Sequence, residues 1–292
     1  TIEQLAKLIR ENGWQSEWGA LVPMRPNGSK PPFFCVHAVG GNILEYNDLA
    51  KHLDSDQPFY GLQAIGLDGK TAPLTDVEDM ANAYLKEIRQ IQPEGPYYIG
   101  GRSFGGTVAY EIACKLVEQG EKVALLAIFD SYPKGWLKLC SDEEAKNYKK
   151  EFLKLRIKGH LENWKQLGMI GKVKYFLEKA GYKTRKYKNL LWRIMQKLGF
   201  GKEQTVSTTI RDIEEINYMA IKKYVPKLYS GTVTFFCAVE EVCPEENLTG
   251  WRFLAQGGVD VVEVPGDHQT LIKEPNVQHL AVALEKTISA GK

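Results

Sequence analysis

The pentapeptide Gly101-Arg-Ser-Phe-Gly105 constrains this chain more than any other segment. It follows residues 97–100, which have the composition of a buried strand, and precedes residues 107–116, which have the pattern of a helix. A serine at the apex of a sharp strand-to-helix turn has a strained backbone, and its hydroxyl is raised above the edge of the sheet. Glycines on both sides allow the strand and the helix to approach without Cβ clashes. The context therefore favours a nucleophilic Ser103 over a serine that only caps a helix.

Strand-like and helix-like segments alternate along most of the 292 residues. This alternation predicts an α/β fold, in which a mostly parallel central sheet is covered by helices on both faces. The alternation stops after Asp130 and resumes near residue 210. We therefore predict a core formed by residues 20–136 and 211–292, and an insertion of residues 137–210 at the carboxyl edge of the sheet, where open α/β folds bind ligands.

The most favourable general base is His268, in the sequence Pro265-Gly-Asp-His-Gln269 directly after the predicted strand 259–264. A base is required because a serine hydroxyl is a poor nucleophile until its proton is removed. Two other histidines compete. We interpret His37, at the end of an inner strand, as a structural neighbour of the loop that follows, and His279, in the last helix, as a surface residue. An ordinary loop histidine is the alternative reading of His268.

A carboxylate must fix the tautomer of that histidine. Asp130 ends the strand that follows the elbow, which is the sharp turn that carries Ser103, so it should lie at the same edge of the sheet as Ser103. Glu240 and Glu241, which end the predicted strand 231–239, are the alternatives. Asp267 is disfavoured because sequence neighbours on a loop usually point apart. We therefore predict Asp130 as the orienting acid.

The chain order of these three residues, serine, aspartate and histidine, is that of α/β-hydrolases. In that fold an oxyanion is stabilised by the backbone N–H after the nucleophile and by an N–H from the loop after an early strand. We therefore predict an oxyanion hole formed by the N–H groups of Val39 and Phe104, with Ala38 as the alternative to Val39.

Composition and motifs exclude several classes of function. Gly40-Gly41 could belong to a phosphate loop, but the chain has no G-x-G-x-x-G motif and no P-loop lysine, so we expect no nucleotide or nucleic-acid binding. No apolar run approaches the roughly 20 residues that cross a membrane. The five cysteines fit neither a zinc site nor a disulfide framework, which predicts free thiols in a reducing cytoplasm. They are Cys35, Cys114, Cys140, Cys237 and Cys243.

Four motifs occur in a characteristic order: Val36-His-Ala-Val-Gly-Gly41, Tyr97-Tyr-Ile-Gly-Gly-Arg-Ser-Phe-Gly-Gly106, Ile128-Phe-Asp-Ser131 and Pro265-Gly-Asp-His268. Together they resemble the terminal thioesterase domains of polyketide synthases and nonribosomal peptide synthetases. That family commonly places its acid after the strand that follows the elbow, which supports Asp130. Residues 1–11 resemble the last helix of a carrier domain, so we predict that residues 1–19 are a carrier-domain remnant or a linker helix. An ordinary leading helix is the alternative.

The resemblance implies acyl transfer. A chain held as a thioester on the phosphopantetheine arm of an upstream carrier domain would pass to Ser103, and then be released by hydrolysis or by macrocyclisation. It implies no intrinsic metal or cofactor. The alternatives are a stand-alone esterase or editing thioesterase, a non-catalytic binding protein on the same fold, and a membrane-surface protein that uses the basic insertion.

The predicted insertion departs from the family because it is long and very basic. Residues 138–203 carry 18 Lys and Arg against 7 Asp and Glu, whereas the whole chain has a net charge of +2. We predict a mobile helical lid with hinges at its glycines, among them Gly159, and a packed cap that never moves is the alternative. A lysine and arginine cluster is expected to recruit an acidic carrier domain, and apolar side chains are expected to line a site for a long acyl chain. The cluster is Lys183, Arg185, Lys186 and Lys188, and the lining is Trp136, Phe152, Leu153, Leu155, Trp164, Tyr175 and Phe176.

Overall fold

The computed structural model describes residues 19–166, 206–240 and 244–290. The predicted carrier remnant, apart from its last residue, lies outside these ranges. So do the basic cluster from Lys183 to Lys188 and the side chains of Trp164, Tyr175 and Phe176.

Seven strands of the described residues form one sheet, in the order β1-β3-β2-β4-β5-β6-β7. All neighbouring pairs are parallel except β1 and β3, which are antiparallel. The prediction of a mostly parallel α/β sheet is therefore confirmed. The strands are β1 (Leu21–Arg25), β2 (Phe33–Val36), β3 (Phe59–Leu62), β4 (Tyr97–Arg102), β5 (Val123–Phe129), β6 (Val233–Ala238) and β7 (Val259–Val264).

In the part of the chain that the structure describes, seven α-helices connect or follow these strands: α1 (Asn47–His52), α2 (Val77–Ile91), α3 (Phe104–Glu118), α4 (Asp142–Gln166), α5 (Val206–Lys223), α6 (Pro244–Leu254) and α7 (Asn276–Ala290). Two short 3-10 turns, Leu44–Tyr46 and Trp136–Lys138, precede α1 and α4. No helix within the described ranges has both the length and the apolar composition needed to cross a bilayer.

The inner strands β2 to β6 bury both of their faces, whereas the edge strands β1 and β7 are partly exposed. In β2, Phe34 and Val36 belong to the apolar cluster that includes α2 and α3, whereas Phe33 and Cys35 belong to the cluster that includes α1 and α7. Because successive side chains of a strand point to opposite faces, a continuous apolar strand needs helices on both sides. The sheet is therefore the middle layer of three, and its carboxyl edge is left for the site.

The described part of the insertion differs from the prediction. The helix α4 continues through Gly159, so the expectation that this glycine interrupts the helix was wrong. A single glycine costs a helix about 1 kcal/mol, which its lysine-, leucine- and glutamate-rich neighbours can offset. Trp136 and Phe152 are buried, and both rings pack against the ring of Tyr148. The ring centroid of Tyr148 lies 5.0 Å from that of Trp136 and 6.0 Å from that of Phe152. These rings anchor α4 to the core, whereas Leu153 and Leu155 are exposed. The lid itself stays a prediction.

Candidate active site

The serine predicted as nucleophile lies on a sharp turn between β4 and α3. Ser103 has φ 54° and ψ −117°, which is a strained conformation for a residue with a side chain. A Cβ atom added to Gly101 would lie 2.5 Å from the carbonyl oxygen of Gly105. One added to Gly105 would lie 2.6 Å from the carbonyl oxygen of His37 and closer still to that of Val36. The glycines of the pentapeptide therefore allow this turn to form.

Hydrogen bonds from neighbouring segments hold the turn. The Ser103 N–H donates to the Phe129 carbonyl at 3.2 Å, and the Ser131 hydroxyl donates to the Ser103 carbonyl at 2.5 Å. Trp251 Nε1–H donates to the carbonyl of Ser131 at 2.7 Å. The backbone on both sides of the serine hydroxyl is thus fixed by β5 and α6.

The side chains of Ser103, His268 and Asp130 form a continuous hydrogen-bonded chain. His268 Nε2 lies 3.1 Å from Ser103 Oγ, and its Nδ1 lies 2.7 Å from Asp130 Oδ2. Because a carboxylate only accepts hydrogen bonds, Nδ1 carries the proton in the neutral ring and Nε2 is free to accept one from the serine. Asp130 is buried, and the His268 side chain is 32% exposed. This arrangement can deprotonate a serine hydroxyl and stabilise the imidazolium that results.

Asp130 has a positive φ of 43° at the end of β5, and its N–H donates to the carbonyl of Phe236 in β6 at 2.9 Å. The structure therefore brings together the three side chains that the sequence predicted as a set. Two of them occupy strained backbone positions at the carboxyl ends of neighbouring parallel strands.

The competing acids lie elsewhere. Glu240 is exposed on the turn after β6, and Glu241 falls outside the described residues. The carboxylate of Asp267 accepts hydrogen bonds from the N–H groups of Gln269 and Thr270 and from the Thr270 hydroxyl. Partial burial alone would raise the pKa of Asp267, but these donors outweigh it and hold that pKa below its ordinary value. Asp267 therefore organises its own loop.

His37 is a buried structural histidine, as predicted. Its Nδ1–H donates to the carbonyl of Ala38 at 2.6 Å, and its Nε2 accepts from the Tyr84 hydroxyl at 2.8 Å. Burial lowers the pKa of His37 to about 4, so the ring is neutral near pH 7. The predicted surface position of His279, in α7, is also observed.

The same contacts fix the turn that carries the predicted oxyanion donor Val39. The Ala38 carbonyl accepts from both His37 and the N–H of Gly41, the latter at 2.9 Å. In a trans peptide the carbonyl and the following N–H point in opposite directions, so this carbonyl sets the direction of the Val39 N–H. Asn217 of α5, which is buried, donates its amide N–H to the Val39 carbonyl at 2.9 Å. Both peptide groups that flank Val39 are therefore held.

The second predicted donor, Phe104, stacks on His37 with ring centroids 5.6 Å apart. The two turns that carry the predicted donors are thus packed against each other. Their roles as oxyanion donors, and that of the alternative Ala38, stay predictions.

The residues that the structure describes lack the side-chain clusters that bind metal ions. They contain no cluster of three or more His, Cys, Asp or Glu side chains that could hold a metal ion. Within the described ranges Cys35, Cys114 and Cys140 are free thiols, and burial raises the pKa of Cys114 to about 12. Such a thiol is not a reactive nucleophile.

Comparison with known proteins identifies the family. Residues 31–170 match the thioesterase domain family. The chain contains a thioesterase domain. This thioesterase domain is 31% identical over 273 residues to malpibaldin synthetase of Mortierella alpina, and the match covers 92% of the chain and 4% of the synthetase. It is 30% identical over 298 residues to a dimodular nonribosomal peptide synthase of Bacillus subtilis, and that match covers 98% of the chain and 12% of the synthase. The chain thus spans a small part of these curated relatives.

Among solved structures, the domain is similar to the NocB thioesterase domain, which was determined as a covalent complex with a fluorophosphonate nocardicin G analogue. The two share 22% identity with a TM-score of 0.63, over 92% of this chain and 99% of the other. This likeness supports the fold. The predicted resemblance to synthetase thioesterase domains and the predicted α/β-hydrolase fold are both confirmed.

Proposed function

We propose that this domain releases an acyl or peptidyl chain from the phosphopantetheine thioester of an upstream carrier domain, through an ester on Ser103. The observation that carries the proposal is the hydrogen-bonded chain from Ser103 through His268 to Asp130. The relatives named above are multidomain synthetases, which supports a carrier domain as the partner and the cytoplasm as the location.

The first half-reaction forms the ester. His268 Nε2 accepts the proton of Ser103 as Oγ attacks the thioester carbonyl, and Asp130 stabilises the imidazolium. The N–H groups of Val39 and Phe104 donate to the oxyanion, and each such donor typically contributes about 3 kcal/mol. The imidazolium then gives its proton to the departing thiolate, so the carrier leaves as a free thiol and the chain remains on Ser103.

The second half-reaction releases the chain. His268, now neutral again, accepts a proton from water, or from a hydroxyl or amine of the same chain, as that group attacks the seryl ester. The proton then passes to Ser103 Oγ, which leaves, and the product is an acid or a ring. Proton transfer and oxyanion stabilisation are sufficient for both steps, so the proposed reaction uses no metal or redox group of the protein.

The basic insertion supports a proposal about how the carrier is recruited. Within the described residues, α4 exposes Lys146, Lys149 and Lys150 after an acidic first turn, and Lys154 pairs with Glu151 at 2.8 Å. The sequence after α4 continues with further cationic residues. A cationic surface increases the association rate of an acidic partner, and the effect fades as salt shortens the Debye length to about 8 Å near physiological strength. Charge reversal of Lys183, Arg185, Lys186 and Lys188 should lower kcat/KM for a carrier-bound substrate and flatten its salt dependence, and leave a neutral thioester mimic unaffected.

Intact-mass analysis tests the seryl ester directly. The protein is incubated with an acyl-pantetheine thioester or with a fluorophosphonate, and the mass of the adduct is measured. We expect an adduct on the wild-type protein and on the control Ser29→Ala, whose serine is exposed and bonded to Asp56. Ser103→Ala should give none. An equal adduct on Ser103→Ala would contradict the proposal. The mass of the released product distinguishes hydrolysis from ring closure.

A further inference from the structure

The residue before the nucleophile makes contacts that the proposed mechanism does not use. Arg102 is the last residue of β4, and its side chain is buried. Its Nη1–H donates to the backbone carbonyl of His268 at 2.7 Å. Its Nε–H and Nη2–H both donate to Oε2 of Glu45, at 3.0 and 2.5 Å. One guanidinium thus joins the loop of the predicted base to a carboxylate from a third segment.

The backbone and the side chain of Arg102 both contact this third segment, the 3-10 turn Leu44–Tyr46. Glu45 and Tyr46 lie on the 3-10 turn that follows the Val39 loop. The N–H of Arg102 donates to the Tyr46 hydroxyl at 3.1 Å, and that hydroxyl donates to the carbonyl of Val36 at 2.7 Å. The backbone and the side chain of Arg102 are therefore both held by the same turn.

The contact on His268 complements the one made by Asp130. Asp130 holds the ring through Nδ1, and Arg102 holds the backbone of the same residue through its carbonyl oxygen. One contact restrains the side chain of His268 and the other restrains its main chain. Together they restrain the position of Nε2 relative to Ser103 Oγ. Loss of the Arg102 contact removes this main-chain restraint on the position of the ring.

We propose that Arg102 is a positioning residue for His268, with Glu45 as its anchor, and that it sets the distance over which the serine proton is transferred. The inference rests on the proposed function. Arginine suits this task because its rigid planar fork serves two partners at once, whereas a lysine offers a single flexible ammonium. Proton transfer requires the base within hydrogen-bonding reach, and a displacement of about 1 Å can reduce a rate about 100-fold.

The test compares Arg102→Ala and Arg102→Lys with the wild-type protein on a soluble acyl-pantetheine thioester. We expect kcat to fall about 10- to 100-fold in Arg102→Ala, with KM changed less than about 3-fold, because the interaction acts on the chemical step rather than on binding. Arg102→Lys should retain part of the activity. The matched control is Arg252→Ala, which removes an exposed arginine that pairs with Glu245 of its own helix, and it should behave as the wild type.

Chemical rescue separates positioning from folding. Ethylguanidinium at millimolar concentration should restore part of kcat in Arg102→Ala and should not change the Arg252→Ala or Ser103→Ala proteins. The downfield resonance of the His268 Nδ1 proton should broaden in Arg102→Ala and sharpen again on rescue. If Arg102→Ala does not fold, Glu45→Gln gives a second test, because it keeps the size of the anchor and removes its charge. It should lower kcat several-fold.

Two outcomes overturn the inference. One is unchanged kcat in a folded Arg102→Ala protein, and the other is a loss that ethylguanidinium does not restore and that follows the folded fraction alone. Fluorophosphonate labelling of Ser103 distinguishes these outcomes from failure of the proposed function. If the wild-type protein is not labelled, the proposed function fails. If the wild-type and Arg102→Ala proteins are labelled at equal rates, only the positioning role fails.

Discussion

Asp130→Asn is the substitution that most directly tests how the site works. The carboxylate is buried and accepts the Nδ1–H of His268 at 2.7 Å. Asparagine has nearly the same size and shape, so the fold should persist. It lacks the negative charge and adds two N–H donors. The change therefore alters the electrostatics and the tautomer of the histidine, with little change in packing.

The magnitude follows from that geometry. Ion centres about 4 Å apart interact by about 4 kcal/mol at an effective dielectric constant of 20. This energy stabilises the imidazolium in the transition state, and its loss corresponds to about 10³-fold in rate. An amide that turns its N–H towards Nδ1 also favours the ring tautomer with the proton on Nε2, which cannot accept the serine proton. Together these effects should lower kcat by about 10⁴-fold, as found for the corresponding change in serine proteases.

The assay follows thiol release from an acyl-pantetheine thioester, with thermal unfolding measured in parallel. Glu240→Gln is the matched control, because Glu240 was the rival acid and is exposed. It should retain wild-type activity. A loss of less than about 10-fold in a folded Asp130→Asn protein, or an equal loss in Glu240→Gln, would refute the assignment of Asp130.

Three further changes probe the elements around the site. Gly105→Ala places a Cβ within 2.6 Å of the carbonyl of His37, so urea unfolding should show a loss of about 3 kcal/mol or more; Gly19→Ala, where the nearest atom is 3.8 Å away, should be nearly neutral. The pKa of His37 is lowered to about 4 by burial, so the folded protein binds fewer protons than the unfolded chain between pH 6.5 and 4, and its stability falls as the pH falls through that window. The loss should be about 2 kcal/mol by pH 5, and a stable His37→Gln protein that shows the same decline would contradict this account. Asn217→Ala removes the hydrogen bond to the Val39 carbonyl and should lower kcat about 10-fold. KM should change little, because an oxyanion donor acts mainly in the transition state. Unchanged kcat would show that α5 does not help to position the Val39 N–H.

Local sequence patterns were sufficient to predict the parts of the fold that depend on strand ends. Ser103, Asp130 and His268 each follow a predicted strand, and parallel strands bring their carboxyl ends to one edge. The three side chains that form the hydrogen-bonded chain could therefore be predicted from the strand ends alone, without knowledge of any tertiary contact. The strand β1 could not, because it is short, contains Pro23 and pairs only at the edge of the sheet.

Contacts between distant segments could not be predicted. Arg102 meets Glu45 and His268, which are 57 and 166 residues away in the sequence, and Asn217 meets Val39 at a separation of 178. Polar side chains of this kind leave no periodic signal, since their partners are set by tertiary packing. The prediction of a hinge at Gly159 failed for a different reason. Glycine only weakly disfavours a helix when strong helix formers surround it, and α4 continues through this residue.

The order of the strands distributes the site unequally across the sheet. Ser103 and Asp130 follow β4 and β5, which have neighbours on both sides, whereas His268 follows β7, one of the two edge strands of the seven-stranded sheet that the structure describes. Edge strands have fewer partners and open at lower free energy than central ones. Partial opening of β7 would remove the base and leave the serine turn folded. On gradual heating, thioester turnover should therefore disappear before the circular dichroism of the central sheet changes, so that activity reports the integrity of one strand rather than of the whole domain.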